Sequence, residues 1–322
     1  MNFSSRTFCL LCVLYASAVS GFSLDREAFT LTNYDLQVRL EPEQQRLGVR
    51  GKITLRNDSA APQKIVVLQI SSSLGWKSIT ASGKTPQFIL QAYTSDIDHT
   101  GALSEAIVTL PQEIAPRGTV ELAIGYEGVI PLDATRLTRI GTPGDAAKSS
   151  DWDEISANFS AVRGVGYVAW YPIATESADF SEGNSLFEVV NRWKARAAGS
   201  EFKAKLTLSH ETGERAPSLI CTPSTGNLVE EMGRTQPAGA ECTWAVLGTV
   251  APTFAVARYH GDYKPPLNVL SLESHESGAA TYLNAIEPAT QFVTEWFGKP
   301  TAPIAIADFA DPHAPRLRAE LY

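Results

Sequence analysis

Histidine is scarce in this chain. Its five copies, His99, His210, His260, His275 and His313, stand far apart. The closest pair is fifteen residues apart, which excludes a His-Glu-x-x-His zinc helix, where two imidazoles must sit one turn from each other. His210-Glu211 and His275-Glu276 each supply half of that motif and read better as polar strand ends or loops. No Gly-x-Ser-x-Gly elbow and no P-loop occurs, and Gly164-Val165-Gly166 lacks the third glycine of a dinucleotide loop. Basic runs are also missing. The 27 Lys and Arg are scattered among 35 Asp and Glu, for a net charge of −8. That balance argues against nucleic acid or an anionic membrane as the main partner.

The chain lacks any apolar run long enough to span a bilayer, which takes ~20 residues. Its longest, Phe8 to Val19, follows the single positive charge of Arg6 and ends in Ala16, Ala18, Ser20 and Gly21. This is the pattern of a secretory leader over residues 1–20, with cleavage expected between Ser20 and Gly21. No stable membrane span is expected after cleavage. An uncleaved anchor is the alternative; a lipoprotein leader would need Gly or Ala where Leu11 precedes Cys12. Export predicts a secreted or periplasmic protein.

Cysteine is sparse too, with four in all, of which Cys9 and Cys12 leave with the leader. Cys221 and Cys242 remain, in two strand-like runs joined by a polar, glycine-containing connection. Two thiols in an oxidising compartment pair as a rule, and closing a loop of this size is worth ~3 kcal/mol in the chain-entropy model. Two unpaired buried thiols are the alternative. Neither reading makes them catalytic.

Period-two alternation dominates what is present. "FTLTNYDLQVRL", "LGVRGKITLRN", "QKIVVLQI", "PQFILQAYTS", "EAIVTLP" and "TVELAIGYEGVI" predict six strands before residue 131, separated by Pro, Gly, Asn, Asp and Ser. With no helix between them they form antiparallel sheets, packed or curled. A long polar loop follows, containing "GTPGDAAKSSDWDE", then a strand at "VGYVAWYPI" and a short amphipathic helix at "SLFEVVNRWKARAAG". Strands resume at "EFKAKLTLS", "SLICTP", "ECTWAVLGTV" and "TFAVARYHG". Pro265-Pro266 marks a boundary. Beyond it lies the one long helical pattern, with Leu283, Ile286, Val293 and Phe297 on one side, Pro288 as a kink or restart, Gly298 as the cap, and "APIAIADF" as a strand.

Three clusters carry weaker signals. Asp151, Asp153 and Glu154 form an acidic loop that could hold calcium, although a solvated loop is the plainer reading. Asp308, Asp311 and His313 could gather a metal near the end of the chain. Tyr167, Trp170 and Tyr171 could line a pocket, although large aromatics on a strand usually belong to the core. No catalytic or metal-ligating residue is assigned from these clusters.

The landmarks in order resemble the N-terminal portion of the aminopeptidase N family of zinc metallopeptidases. Tyr34-Asp35-Leu36 with Gly51 resembles its opening strands, and Leu122, Ile124, Tyr126 and Gly128 resemble its Leu-x-Ile-x-Tyr-x-Gly strand. "FKAKLTLS" with the Ser224 and Gly226 turn, "APTFAVARYHGDY" and "QFVTEWFGKPTAPIAIADF" are similar to later landmarks, the last opening the catalytic domain. The resemblance implies a leader (1–20), a mostly β, antiparallel saddle or sandwich domain (24–262), and the first helix and strand of a truncated, thermolysin-like α/β catalytic domain (265–322). It implies zinc and peptide substrates for the intact enzyme. The family's Gly-x-Met-Glu-Asn segment and zinc helix find no match here, and "AWYPI" (Ala169 to Ile173) departs from the family's Ala-Phe-Pro-Cys pattern. This polypeptide alone is therefore expected to hold no zinc and to be inactive. The alternative is a free-standing, non-catalytic β module of the same origin.

Overall fold

The computed structural model describes residues 24–209, 217–222, 239–244, 247–264, 267–272, 276–299 and 304–308. Seven strands come first: β1 (Phe29–Glu41), β2 (Arg46–Asn57), β3 (Gln63–Ser71), β4 (Leu74–Ala81), β5 (Gln87–Thr94), β6 (Ala102–Ile114) and β7 (Thr119–Val129). Then follow α1 (Thr135–Arg139), α2 (Gly144–Ser150), β8 (Ser160–Val162), α3 (Ser185–Ala197), β9 (Glu201–Leu208), β10 (Ser218–Thr222), β11 (Gly239–Trp244) and β12 (Thr253–Ala257). The chain continues through β13 (Tyr259–Lys264), β14 (Leu267–Leu272), α4 (Glu276–Phe297) and β15 (Ile304–Ala307).

Alternation produces the strands as expected. In β1 the residues Tyr34, Leu36, Val38 and Leu40 are buried while Asp35, Gln37 and Arg39 face out, and β9 buries Phe202, Ala204, Leu206 and Leu208 in the same way. A six-stranded sheet runs in the order β11-β9-β1-β2-β7-β4, and a three-stranded sheet, β3-β6-β5, shares its core. All neighbours in these sheets are antiparallel except β1 and β9, which pair in parallel from Asn33↔Glu201 to Leu40↔Leu208. The antiparallel expectation thus holds with that one exception. A strand that arrives after a long excursion, as β9 does, is free to enter in either direction.

Two motif glycines are explained by close approach of the backbone. A Cβ on Gly51 would lie 2.2 Å from the Asp35 carbonyl oxygen, and one on Gly128 would lie 2.3 Å from that of Ser73. Any side chain there would push β2 off β1, or β7 off the turn before β4.

Among the described residues there are two smaller sheets, β10-β12-β8 and β13-β14-β15. In the second, β13 pairs antiparallel with β14, and β14 pairs in parallel with β15 after passing through α4, a β-α-β crossover. The helix runs as one element through Pro288, so the expected kink or restart is not seen as a break. Pro288 and Asn284 both face out, where water can take the carbonyl bond that the missing N–H gives up. Gly298 ends α4 at φ 85°, its N–H donating to the Thr294 carbonyl at 3.1 Å.

Three local readings need correction. β4 was not among the expected strands: "LGWKSITA" has a register break between Trp76 and Ser78 that scrambles its alternation. The polar loop contains α1 and α2. The strand expected at "VGYVAWYPI" is an irregular segment that meets β3 only at Gln69 and Ser71 and otherwise bonds to scattered groups.

Candidate functional site

That irregular segment, residues 164–173, is anchored in the interior by side chains and backbone from several elements. The hydroxyl of Tyr34 donates to the Pro172 carbonyl and that of Tyr126 to the Trp170 carbonyl, each at 2.9 Å. Both tyrosines belong to the motifs that carry the family resemblance. Burial pushes both phenols well above the usual tyrosine range, so they stay protonated and donate. The Ala169 N–H donates to Asp98 Oδ1 (2.8 Å), the Ser71 N–H to the Ala169 carbonyl (2.8 Å), and Gln69 and Ile173 exchange backbone bonds. Trp170 is fully buried, its indole N–H donating to the Pro252 carbonyl (3.0 Å) and its ring packed against Tyr171, Phe202 and Phe254. A loop survives inside a core only when its polar groups are bonded in this way.

Beside the segment lies a group of buried charges. Arg136 makes a two-pronged pair with Asp151 (2.7 and 2.8 Å) and donates to the carbonyls of Asp96 and Gly166 (2.6 and 2.7 Å). Arg163 grips Asp153 through Nε and Nη2, the latter at 2.6 Å, and lies between the rings of Tyr167 (3.5 Å) and Trp152 (4.1 Å). Burial lowers the Arg163 guanidinium, but Asp153 more than offsets this and the net shift is upward, so it stays charged. Arg139 pairs with Asp96, whose second oxygen accepts from the Phe180 N–H (2.8 Å). These pairs fix the connection between β7 and β8 against the segment. They position and exclude water, and each charge already has a partner.

The solvated reading of Asp151 and Asp153 is therefore overturned, since both are buried. Their carboxylates are taken by arginines, which removes the feature that suggested calcium. Arg136 and Arg163 carry this arrangement and were not singled out in the sequence, where they stand at the two ends of a polar stretch that holds the acids. Of the aromatic set, Trp170 and Tyr171 are core, and Tyr167 is 39% exposed over Arg163. His99 is fully buried and neither ring nitrogen finds a hydrogen-bond partner among the described residues. His260 is half exposed on β13, 3.8 Å from Asp262. Asp308 is buried, one oxygen accepting from the Leu272 N–H at 3.2 Å.

Cys221 and Cys242 are joined by a disulfide, Cα to Cα 6.1 Å, which ties β10 in one sheet to β11 in another. His210, Glu211, Ser224, Gly226, His275, Asp311, His313, the proline pair and the leader lie outside the described residues, as do the side chains of Glu276 and Ile304. Among the described residues no group of three or more His, Cys, Asp or Glu is placed to hold a metal, so they do not fit a zinc site. No described helix is long and apolar enough to cross a membrane.

The second feature is a platform. Leu267, Val269, Ala279 and Ile306 form a small core between α4 and its sheet, with Tyr282, Leu283 and Ile286 packed against it. The far half of α4 is bare: Phe292 is 60% exposed, Trp296 72% and Phe297 82%. An apolar run this exposed marks a contact surface.

No family model and no curated protein matches the chain. Solved structures do. A native leukotriene A4 hydrolase from Saccharomyces cerevisiae is similar at 9% identity, with a TM-score of 0.52, over 89% of this chain and 38% of that one. The yeast enzyme in complex with bestatin gives 10% identity and 0.51, over 88% and 38%. An M1 zinc metallopeptidase from Deinococcus radiodurans gives 13% and 0.47, over 87% and 56%. At these identities the likeness is one of fold: the chain is mostly β and has the fold of the N-terminal portion of such enzymes. It spans between about a third and three fifths of their length.

Proposed function

We propose that this chain is the N-terminal β domain and the beginning of the catalytic domain of an exported zinc aminopeptidase, which removes N-terminal residues from peptides. The observation that carries the reading is the join between two unlike parts. A closed β body is followed by a β-α-β unit whose helix leaves Phe292, Trp296 and Phe297 in the open. In this reading the rest of a peptidase domain covers that face, and the β body walls the cleft so that only peptide N-termini enter. In this reading the domains are 24–262 and 265–322, behind a leader cut near Ser20 and Gly21. The clamped segment 164–173 gives the wall its rigidity, because a surface that positions a peptide must itself be over-determined.

The polypeptide 1–322 does not hydrolyse peptides alone. Such chemistry needs a bound metal to acidify water and a glutamate to take its proton, and the sequence contains no His-Glu-x-x-His to supply either. Zinc would be held by polypeptide that this sequence does not include.

The test has two arms. Purified 21–322 is expected to contain no stoichiometric zinc and to cleave no aminoacyl reporter. In the source organism, an antibody to the β body is expected to detect, in the exported fraction, a larger polypeptide with a mature N-terminus at Gly21 and zinc-dependent aminopeptidase activity. One zinc per chain in 21–322 overturns the inactivity. A native protein ending at Tyr322 favours the alternative, a non-catalytic exported module.

A further inference from the structure

We propose that the outer edge of β5 is a pairing surface for a second copy of this chain, joined strand to strand in antiparallel fashion about a two-fold axis. β5 closes one side of the sheet β3-β6-β5. Its inner edge is bonded to β6 from Gln87↔Thr109 to Thr94↔Ala102, and among the described residues no strand takes the outer edge. That edge presents a row of N–H and C=O groups, which is a template for another strand, up to its last carbonyl, that of Thr94, which accepts from the Ser177 hydroxyl at 2.7 Å.

The other edge strands carry protection. β3 has Lys64 and a register break between Gln63 and Ile65; β4 has Lys77 inside its own break. β11 carries Glu241, paired with Lys203 at 2.9 Å, and β13 carries His260 and Asp262. β8, β10 and β15 are three, five and four residues long. Charge, irregularity and shortness are the usual means of blocking edge pairing. β5 has none of them: eight residues, "QFILQAYT", with no charge, no proline and an unbroken register. Ile89 and Leu90 point to opposite faces and are 62% and 51% exposed, so an incoming strand finds apolar surface on both sides.

A second copy is the occupant that the charges favour. Set against itself, an uncharged strand opposes no like charges. The two ends also differ in sign. Exposed Lys84 precedes β5, whereas the far end holds two carboxylates, half-exposed Glu176 and buried Glu105, around the single guanidinium of Arg26 (3.8 and 2.8 Å), which leaves one negative charge over. Antiparallel pairing brings each end against the opposite one, and a two-fold contact closes at the dimer instead of propagating. One pair of eight-residue strands buries less than the ~800 Å² per partner of a standard stable interface, so the dimer is weak.

Sedimentation velocity on the mature chain, from about 1 to 300 μM, tests this, because an interface of this size gives micromolar or weaker affinity. The expected result is a concentration-dependent monomer–dimer equilibrium. Ile89→Lys, at an exposed position, should weaken it about tenfold or more with no change in the unfolding midpoint. Trp296→Glu on the bare face of α4 should leave it unchanged. A chain that stays monomeric throughout overturns the proposal, and so does a dimer broken by the Trp296 variant but not by the Ile89 variant. A drop in the monomer's unfolding midpoint with Ile89→Lys would show that the chain's own residues cover β5, and also overturns it.

Discussion

The β body and the α4 platform bury apolar side chains to very different degrees. In the body, Trp170, Trp244, Tyr34, Tyr126, Tyr171, Phe202 and Phe254 are all essentially without exposure, and most meet edge to face at 5–6 Å. In the platform, the buried cluster under α4 is Leu267, Val269, Ala279 and Ile306, while Phe292 and Trp296 lean on each other at 6.2 Å in the open. The same residue types serve two purposes. The body's aromatics supply its stability, whereas the platform's exposed set gains its free energy only when something else is laid on it. A region that owns its core can be read as a folding unit; one that shares its core can be read as half of an interface.

A pair of tryptophan substitutions puts the largest number on that contrast. Trp170→Ala removes a fully buried ring and the donor to the Pro252 carbonyl, and should cost about 3–5 kcal/mol of unfolding free energy. Trp296→Ala, at 72% exposure, should fall within about 0.5 kcal/mol of the parent. Urea unfolding followed by circular dichroism measures both. If the two variants lose similar amounts, the platform already has a cover and the contrast fails.

Next in size is the buried charge. Arg136→Met leaves Asp151 without its partner and two carbonyls without a donor, and should cost about 3–5 kcal/mol. The double variant Arg136→Met/Asp151→Leu should regain most of this, because it removes the stranded carboxylate. Lys52→Ala, whose pair with Glu121 is more than half exposed on both sides, should change nothing measurable. A double variant no better than the single would mean that the guanidinium's bonds to backbone, not its charge, hold the connection.

Much of the body was legible because alternation is a local signal. β1, β2, β7 and β9 follow from their own residues, and Gly51 and Gly128 fall where neighbouring backbone leaves no room for a Cβ. α4 and β15 were legible for a similar reason, since a helical period and a glycine stop are short-range, whereas β14 was not among the expected strands. What escaped depends on distant partners. Nothing within "VGYVAWYPI" says that its carbonyls are met by Tyr34 and Tyr126 from other strands, so it looked like a strand. Nothing in "SSDWDE" says that Arg136 and Arg163 lie opposite its acids, so it looked solvated. The bare edge of β5 was also invisible, because a strand's place in a sheet is set by order, not by its own composition.

The smallest effect distinguishes the body by acid. Glu105 is buried and accepts from Arg26 Nε (2.8 Å), Gln69 Nε2 (2.9 Å) and Gln91 Nε2 (2.7 Å). Burial pushes this carboxyl up, but the donors led by Arg26 outweigh it and hold it below its usual range. A carboxyl that is more acidic when folded contributes stability above its unfolded value of about 4.3, and loses it as the pH falls through the folded value, because the unfolded chain takes up the proton first. Arg26→Ala removes the leading donor and should raise the folded value. The gap in stability between parent and variant should therefore be widest near neutral pH and close as the pH drops from about 5 toward 3. Asp58 and Glu127, also held low by basic partners, titrate alike in both proteins and cancel in the difference. Urea midpoints across that range measure the gap. A gap that keeps its width at acid pH would assign Arg26 to packing over Tyr93, whose ring centre lies 4.0 Å away, and not to the charge of Glu105.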